Sequence, residues 1–124
     1  MLNNSIKLVN PLVFLDLAST DIDLNKARIV RISTIKILPD STKIFVTNLI
    51  NPEHKISKEA VKIHGISQKM IENEKPFSNY AESISKHLSG CDIVGFGIKR
   101  YSLPLLRKEF RKAKVYFSIR NRSV

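Results

Sequence analysis

One carboxylate in this sequence stands out of character with its neighbours. Asp16 interrupts the apolar run Pro11-Leu-Val-Phe-Leu-Asp-Leu17, whose β-forming residues predict a buried strand. An acid in such a run either ligates a cation or pairs with a nearby base, and pairing of a partly buried Asp16 is the expectation here. Asp21 and Asp23 follow in the loop leaving that strand, and Asp92 opens a later one; their places suit loop solvation and turn or helix capping. His54 and His87 have no partners and are assigned no role. Cys91, the lone cysteine, has no Cys or His at ligand spacing and is expected to be a small buried residue at the start of a strand.

The elements that must position these groups follow from periodicity. Residues Arg28 to Leu38 alternate apolar and polar, Pro39-Asp40-Ser41 supplies a turn, and Lys43 to Ile50 alternates again, which predicts a hairpin after the first strand. Ser57 is placed to cap a short helix that Gly65 ends, and Ser67 caps a second to about Asn73. After Pro76, residues Phe77, Tyr80, Ala81, Ile84 and Leu88 fall at helical spacing, with Gly90 closing the helix. Cys91 to Phe96 predicts a strand, Leu103 to Ala113 an amphipathic helix with Leu105, Leu106, Phe110 and Ala113 inward, and Val115 to Phe117 the start of another strand. Strand, hairpin, helices, strand, helix is the order of an α/β mixed sheet joined by a helical crossover.

With 124 residues, 43% of them hydrophobic and 26% charged, the chain is one soluble globular domain at most, and its few glycines and prolines argue against disorder. It has no stretch of signal-peptide type at Met1 to Asn10 and no run of about 18 apolar residues, so a cytoplasmic protein without a membrane span is expected. The net charge is +10, and from Lys99 to Val124 nine Lys or Arg residues face one acid, Glu109. That basic end would attract polyanions, nucleic acid first, or else is a solvated helix face with a basic tail.

Four stretches in order resemble the DEDD-type 3'-5' exonuclease family related to the polymerase III epsilon subunit. Val13-Phe-Leu-Asp-Leu-Ala-Ser-Thr20 is similar to its F-x-D-x-E-T-T strand, and Arg28-Ile-Val-Arg-Ile-Ser33 to its R-I-V-E-I. Ile50-Asn-Pro with Ala60-Val-Lys-Ile-His-Gly-Ile-Ser67 resembles its N-P and V-H-G-I-T signatures. Ile93-Val-Gly-Phe-Gly-Ile-Lys-Arg-Tyr-Ser-Leu-Pro-Leu-Leu106 resembles its G-x-N-x-x-R-F-D-x-P-x-L motif. The matching region spans roughly residues 10 to 117 of a single exonuclease-like domain, with 118–124 as a basic tail. It implies a ribonuclease H-like mixed sheet with flanking helices, truncated before the family's last motif.

The resemblance also implies what the site should hold: four carboxylates around two Mg2+ or Mn2+ ions that activate water and stabilise the leaving oxygen. Asp16 matches the first of them, while Ala18 stands at the family's Glu, Ser102 at its Asp and Gly97 at its Asn. The H-x-A-x-x-D motif is absent, and Arg31 stands where the family usually has Glu. One retained ligand predicts a domain without turnover and without a resident metal, Mg2+ or Mn2+ being required only if it is active. The family's terminal-nucleotide pocket maps to Ser19, Thr20, Ile63, His64 and Tyr101, and Lys99 and Arg100 are candidate phosphate contacts. A helix-end polar residue at His64 and a packed aromatic at Tyr101 are the alternatives.

Three readings follow. The first is an inactive exonuclease-like domain that binds single-stranded DNA or RNA weakly. The second is an active nuclease completed by a partner chain, and the third is an interaction module whose uncovered apolar surface takes a homodimer or another protein.

Overall fold

The computed structural model describes residues 9–95 and 97–117, with the backbone alone at Ile98 and Lys99. Strands β1 (Leu12–Ser19), β2 (Ile29–Ile37) and β3 (Lys43–Leu49) come first, followed by helices α1 (Lys58–His64) and α2 (Gln68–Ile71). A 3-10 turn at Phe77–Asn79 leads into α3 (Ala81–Leu88), then β4 (Asp92–Val94), a π turn at Ile98–Ser102 and α4 (Leu103–Ala113). The sheet has the order β3-β2-β1-β4, antiparallel except where β4 joins β1 in parallel, so the sheet is mixed as the resemblance implied.

Side-chain alternation along β1 sorts the two faces of the sheet. Val13 and Leu15, with Ile32 of β2 and Ile93 of β4, are buried in one cluster with Ile84 and Leu88 of α3 and Leu105, Leu106 and Phe110 of α4. Ala18, at the end of β1 on the opposite face, packs with Ala60, Ile66 and Ile71 around α1 and α2. Those two helices cover only that end. Farther along the same face Phe14, Ile35 and Phe45 stand opposite one another in register and remain 44%, 37% and 69% exposed.

The caps at the α1–α2 corner are those the residue types predict. Ser57 accepts from the Ala60 N–H, Ser67 from the Met70 N–H, and Gly65 closes α1 with a left-handed φ of 72°. The helix expected from Phe77 is instead interrupted: i→i+3 bonds from Asn79 to Pro76 and Tyr80 to Phe77 make a tight turn after extended Pro76, and the regular helix begins at Ala81. The strand expected at Val115 to Phe117 does not form. Val115 N–H returns to the Phe110 carbonyl, the Ser85 hydroxyl donates to the Tyr116 carbonyl, and the Phe117 ring stacks on Phe110 with centroids 4.3 Å apart. Packing onto α3 and α4 claims the groups a strand pairing would need. Of the strand expected over Cys91 to Phe96, residues 92–94 are paired, and Phe96 and the tail 118–124 lie outside the described residues.

Candidate functional site

A cleft of about 580 Å³ opens where β1 ends, between α1 and the π turn, and is lined by Asp16, Ala18, Ser19, Asp21, Ile22, Arg31, Ile63, His64 and Tyr101 among others. It therefore gathers segments of the chain from residue 16 to residue 101. Each reaches it for a local reason. Asp16 lies on the face of β1 opposite Val13 and Leu15, so it points away from the main core, and its side chain is 74% exposed. The expectation of a partly buried acid is thus corrected in its burial: the apolar run that suggested it is buried on one face only at this point.

Asp16 does have a base beside it. Arg31 Nη2 lies 3.6 Å from its Oδ2. In the β1–β2 register Arg31 is directly opposite Ala18, and Asp16 is opposite Ser33. A methyl group at Ala18 takes little room, and the guanidinium lies in the space beside the Asp16 carboxylate. Its Nε is buried with no acceptor among the described residues. An unpartnered buried donor costs about 1–3 kcal/mol. Among the described residues, no three His, Cys, Asp or Glu side chains gather as a group that could hold a metal ion.

The other side of the cleft is held by a small polar network. The Ser19 hydroxyl donates to the Asp21 carbonyl at 2.8 Å and accepts from the Tyr101 hydroxyl, whose oxygen lies 3.2 Å from the same carbonyl. His64 Nδ1 accepts from the Ile66 N–H at 3.0 Å, which leaves Nε2 to donate to the Ser19 carbonyl at 2.8 Å. Both ring nitrogens are thereby used in fastening the end of α1 to the end of β1, the helix-end role. The Asp21 carboxylate accepts from the Asp23 N–H, and Asp23 from the Asn25 N–H, so both acids shape the loop.

Several residues singled out in the sequence sit elsewhere. Thr20 is fully buried and its hydroxyl accepts from the Arg28 N–H at 3.0 Å, so it has no free surface for a nucleotide. Ser102 is 4% exposed at the start of α4 and does not line the cleft. Arg100 is exposed outside the lining, and the Lys99 side chain is not among those described. Ile22, which no periodicity marks, was missed: it and Ile63 are 63% and 73% exposed at the cleft and give it apolar walls.

Helix α4 anchors the loop behind the cleft. Glu109, 1% exposed, accepts both Arg28 Nε and Nη2 at 3.0 Å and the Ile29 N–H at 2.9 Å. That carboxylate raises the Arg28 guanidinium above its ordinary value through the hydrogen-bonded pairing, against the opposing effect of burial. Lys108 Nζ donates to the Leu24, Asn25 and Ala27 carbonyls at 3.3, 3.1 and 3.0 Å. One turn of helix thus clamps both the β1–β2 loop and the first residues of β2.

Comparison with known proteins fits this architecture. A model of the exonuclease family (RNase T type) matches residues 13–123, and the chain belongs to that family. Its fold is the ribonuclease H-like fold of DnaQ-like exonucleases. Escherichia coli exonuclease I in complex with a dT13 oligonucleotide superposes with a TM-score of 0.75 over 86% of this chain at 16% identity. A moderately thermophilic exonuclease I from Methylocaldum szegediense gives 0.74 over 84% at 19% identity. The same fold is seen in the ExoI/SSB-Ct complex, with a TM-score of 0.76 over 86% at 16% identity. This chain spans about a quarter of those proteins, 24%, 24% and 25% of their respective lengths. No curated protein matches significantly.

Proposed function

We propose that this chain is an exonuclease-family domain without turnover that retains weak binding of single-stranded nucleic acid at the cleft beside β1. The observation that carries the reading is the pairing of Asp16 with Arg31 across from Ala18. Two-metal phosphodiester hydrolysis needs carboxylates gathered at one point, so that the ions can activate water and hold the leaving oxygen. Here β1 offers one carboxylate, its strand neighbour on the same face is a methyl group, and a guanidinium fills the adjacent space. The residue at the third carboxylate position, Ser102, is a buried hydroxyl, a poor ligand for a hard cation. These residues do not fit a pair of Mg2+ or Mn2+ ions. Binding is supported by the cleft's volume, its apolar walls and the net charge of +10, and a related fold is known in complex with a dT13 oligonucleotide.

The test is trimming of a 3'-labelled single-stranded oligonucleotide with Mg2+ or Mn2+, run with Ala18→Glu/Ser102→Asp and Asp16→Ala variants. The expected outcome is retention of the oligonucleotide without trimming by the natural chain. Metal-dependent trimming that disappears in Asp16→Ala would sink the reading, because this chain would then carry a working metal site despite the replaced carboxylates.

A second reading rests on its own observation. The row Phe14, Ile35, Phe45 crosses three strands on the uncovered part of the sheet, and such a row suits a protein partner or a second copy. Its test is the molecular mass in solution of the natural chain and of Phe45→Lys.

A further inference from the structure

We infer that Arg31 takes the place of a metal ion in this cleft and makes it a metal-independent receptor for the phosphate of a nucleotide; this rests on the nucleic-acid-binding reading above. The two arginines of β2 and its approach differ in a way that decides the point. Arg28 is satisfied, bound bidentately at 3.0 Å to buried Glu109. Arg31 is not: among the described residues its paired carboxylate oxygen is 3.6 Å away, beyond hydrogen-bond distance, and its Nε is buried with no acceptor. A guanidinium offers five donors in a planar fork that matches two oxygens of a phosphate. Arg31 lines the cleft, and Asp16, the acid next to it, is largely open to water, which screens its repulsion toward an incoming anion.

The rest of the cleft narrows the ligand. Asp21 is the other acid of the lining, and its carboxylate is engaged by the Asp23 N–H. Ser19, His64 and Tyr101 are likewise engaged with one another or with backbone. Among the described residues, Arg31 is therefore the charged donor of the lining left with capacity. Ile22 and Ile63 add exposed apolar surface of the kind that takes a ring. Phosphate at Arg31 and a base against the isoleucines describe a nucleoside monophosphate or the end of a single strand. Phosphate recognition by a side-chain cation, with no metal ion between carboxylate and phosphate, distinguishes this arrangement from a two-metal site.

Titration calorimetry of the whole chain with dTMP, thymidine, inorganic phosphate and a short oligo(dT), each in EDTA and again in Mg2+, tests the inference. Binding of dTMP is expected in EDTA and unchanged by Mg2+, with Arg31→Met weakening it by about tenfold or more, the loss of a charged hydrogen bond. Asp16→Asn, which removes the competing negative charge, is expected to tighten it. The phosphate and thymidine arms separate the two halves of the ligand, and oligo(dT) separates a strand end from a free monophosphate. Circular dichroism melts of Arg31→Met and Arg31→Lys check that each variant is folded, and the lysine should recover part of the affinity. Absence of dTMP binding in EDTA, its appearance only with Mg2+, or equal affinity in folded Arg31→Met overturns the inference. Oligonucleotide binding that persists unchanged in Arg31→Met leaves the nucleic-acid reading standing while this one falls, and metal-dependent trimming by the natural chain overturns this inference together with the no-turnover reading.

Discussion

Replacing Glu109 by Gln should be among the most destabilising single changes in this domain, although it alters one atom type. The carboxylate is 1% exposed and accepts three hydrogen bonds, two from the Arg28 guanidinium and one from the Ile29 N–H. An amide can still accept from Ile29, but it presents one oxygen and an NH2 to a guanidinium that only donates. Breaking a buried ion pair costs about 3–5 kcal/mol because a charge is left without its partner. The Arg28 side chain is 23% exposed and can recover some hydration, which places the loss at the lower end, about 3 kcal/mol. For a domain with about 5–15 kcal/mol of net stability that is a large share, and the melting temperature should drop by roughly 10 °C. Urea unfolding of the natural chain, Glu109→Gln, Arg28→Met and the double variant gives both the loss and, from the cycle, the coupling. A loss below about 1 kcal/mol, the worth of an exposed pair, would refute the claim that Glu109 fastens α4 to β2.

Two further outcomes concern half-buried His87 in the last turn of α3 and buried Cys91 just after it. Burial first, and the charge of Lys36 second, hold His87 below its ordinary value of about 6.5, its Nε2 lying 2.9 Å from the Thr34 hydroxyl. Stability from neutral His87 is therefore complete above about pH 6.5 and lost as pH falls through the depressed folded value. Urea midpoints should drop from pH 7 toward about pH 5 more in the natural chain than in His87→Gln; equal slopes would contradict it. Cys91 is buried, and burial pushes its thiol up. Its reaction with a disulfide reagent at neutral pH should be slow in the folded protein and fast in urea, and rapid labelling of folded protein would show that the β1–β4 edge opens.

What could be read in the sequence was whatever repeats along one element. The inward positions Leu105, Leu106 and Phe110 place α4 over Leu103–Ala113 as observed, and Ser57 and Gly65 mark the two ends of α1 by their chemistry. The hairpin turn is equally local, since Asp40 accepts from the Thr42 N–H and Ser41 takes a φ of 75°. Relations between elements were hidden. Glu109 reads only as a lone acid in a basic helix until the fold brings it to Arg28, 81 positions earlier. The exposure of Asp16 was hidden because β1 has core on both faces, against α3 and α4 on one and against α1 at its far end on the other. Ile22 lies in a loop, where no period marks it.

The basic end of the chain divides into separate physical roles. Lys108 is spent on three backbone carbonyls, so it is structural. Arg107 and Arg111 are exposed at helical spacing on α4, and exposed Lys114 caps its end. Helix α4 covers the face of the sheet opposite Asp16, Ala18 and Arg31, so this stripe does not share a face with the cleft. Its contribution to binding is then long-range attraction, which raises the local concentration of a polyanion and weakens with salt over a Debye length of about 8 Å. A contact made by half-buried Arg31 inside the cleft is screened less. The proposed nucleotide binding at the cleft and steering by α4 are thus separable by ionic strength: added salt should weaken capture of a long strand far more than capture of a monophosphate, because only the long strand is large enough to meet both faces.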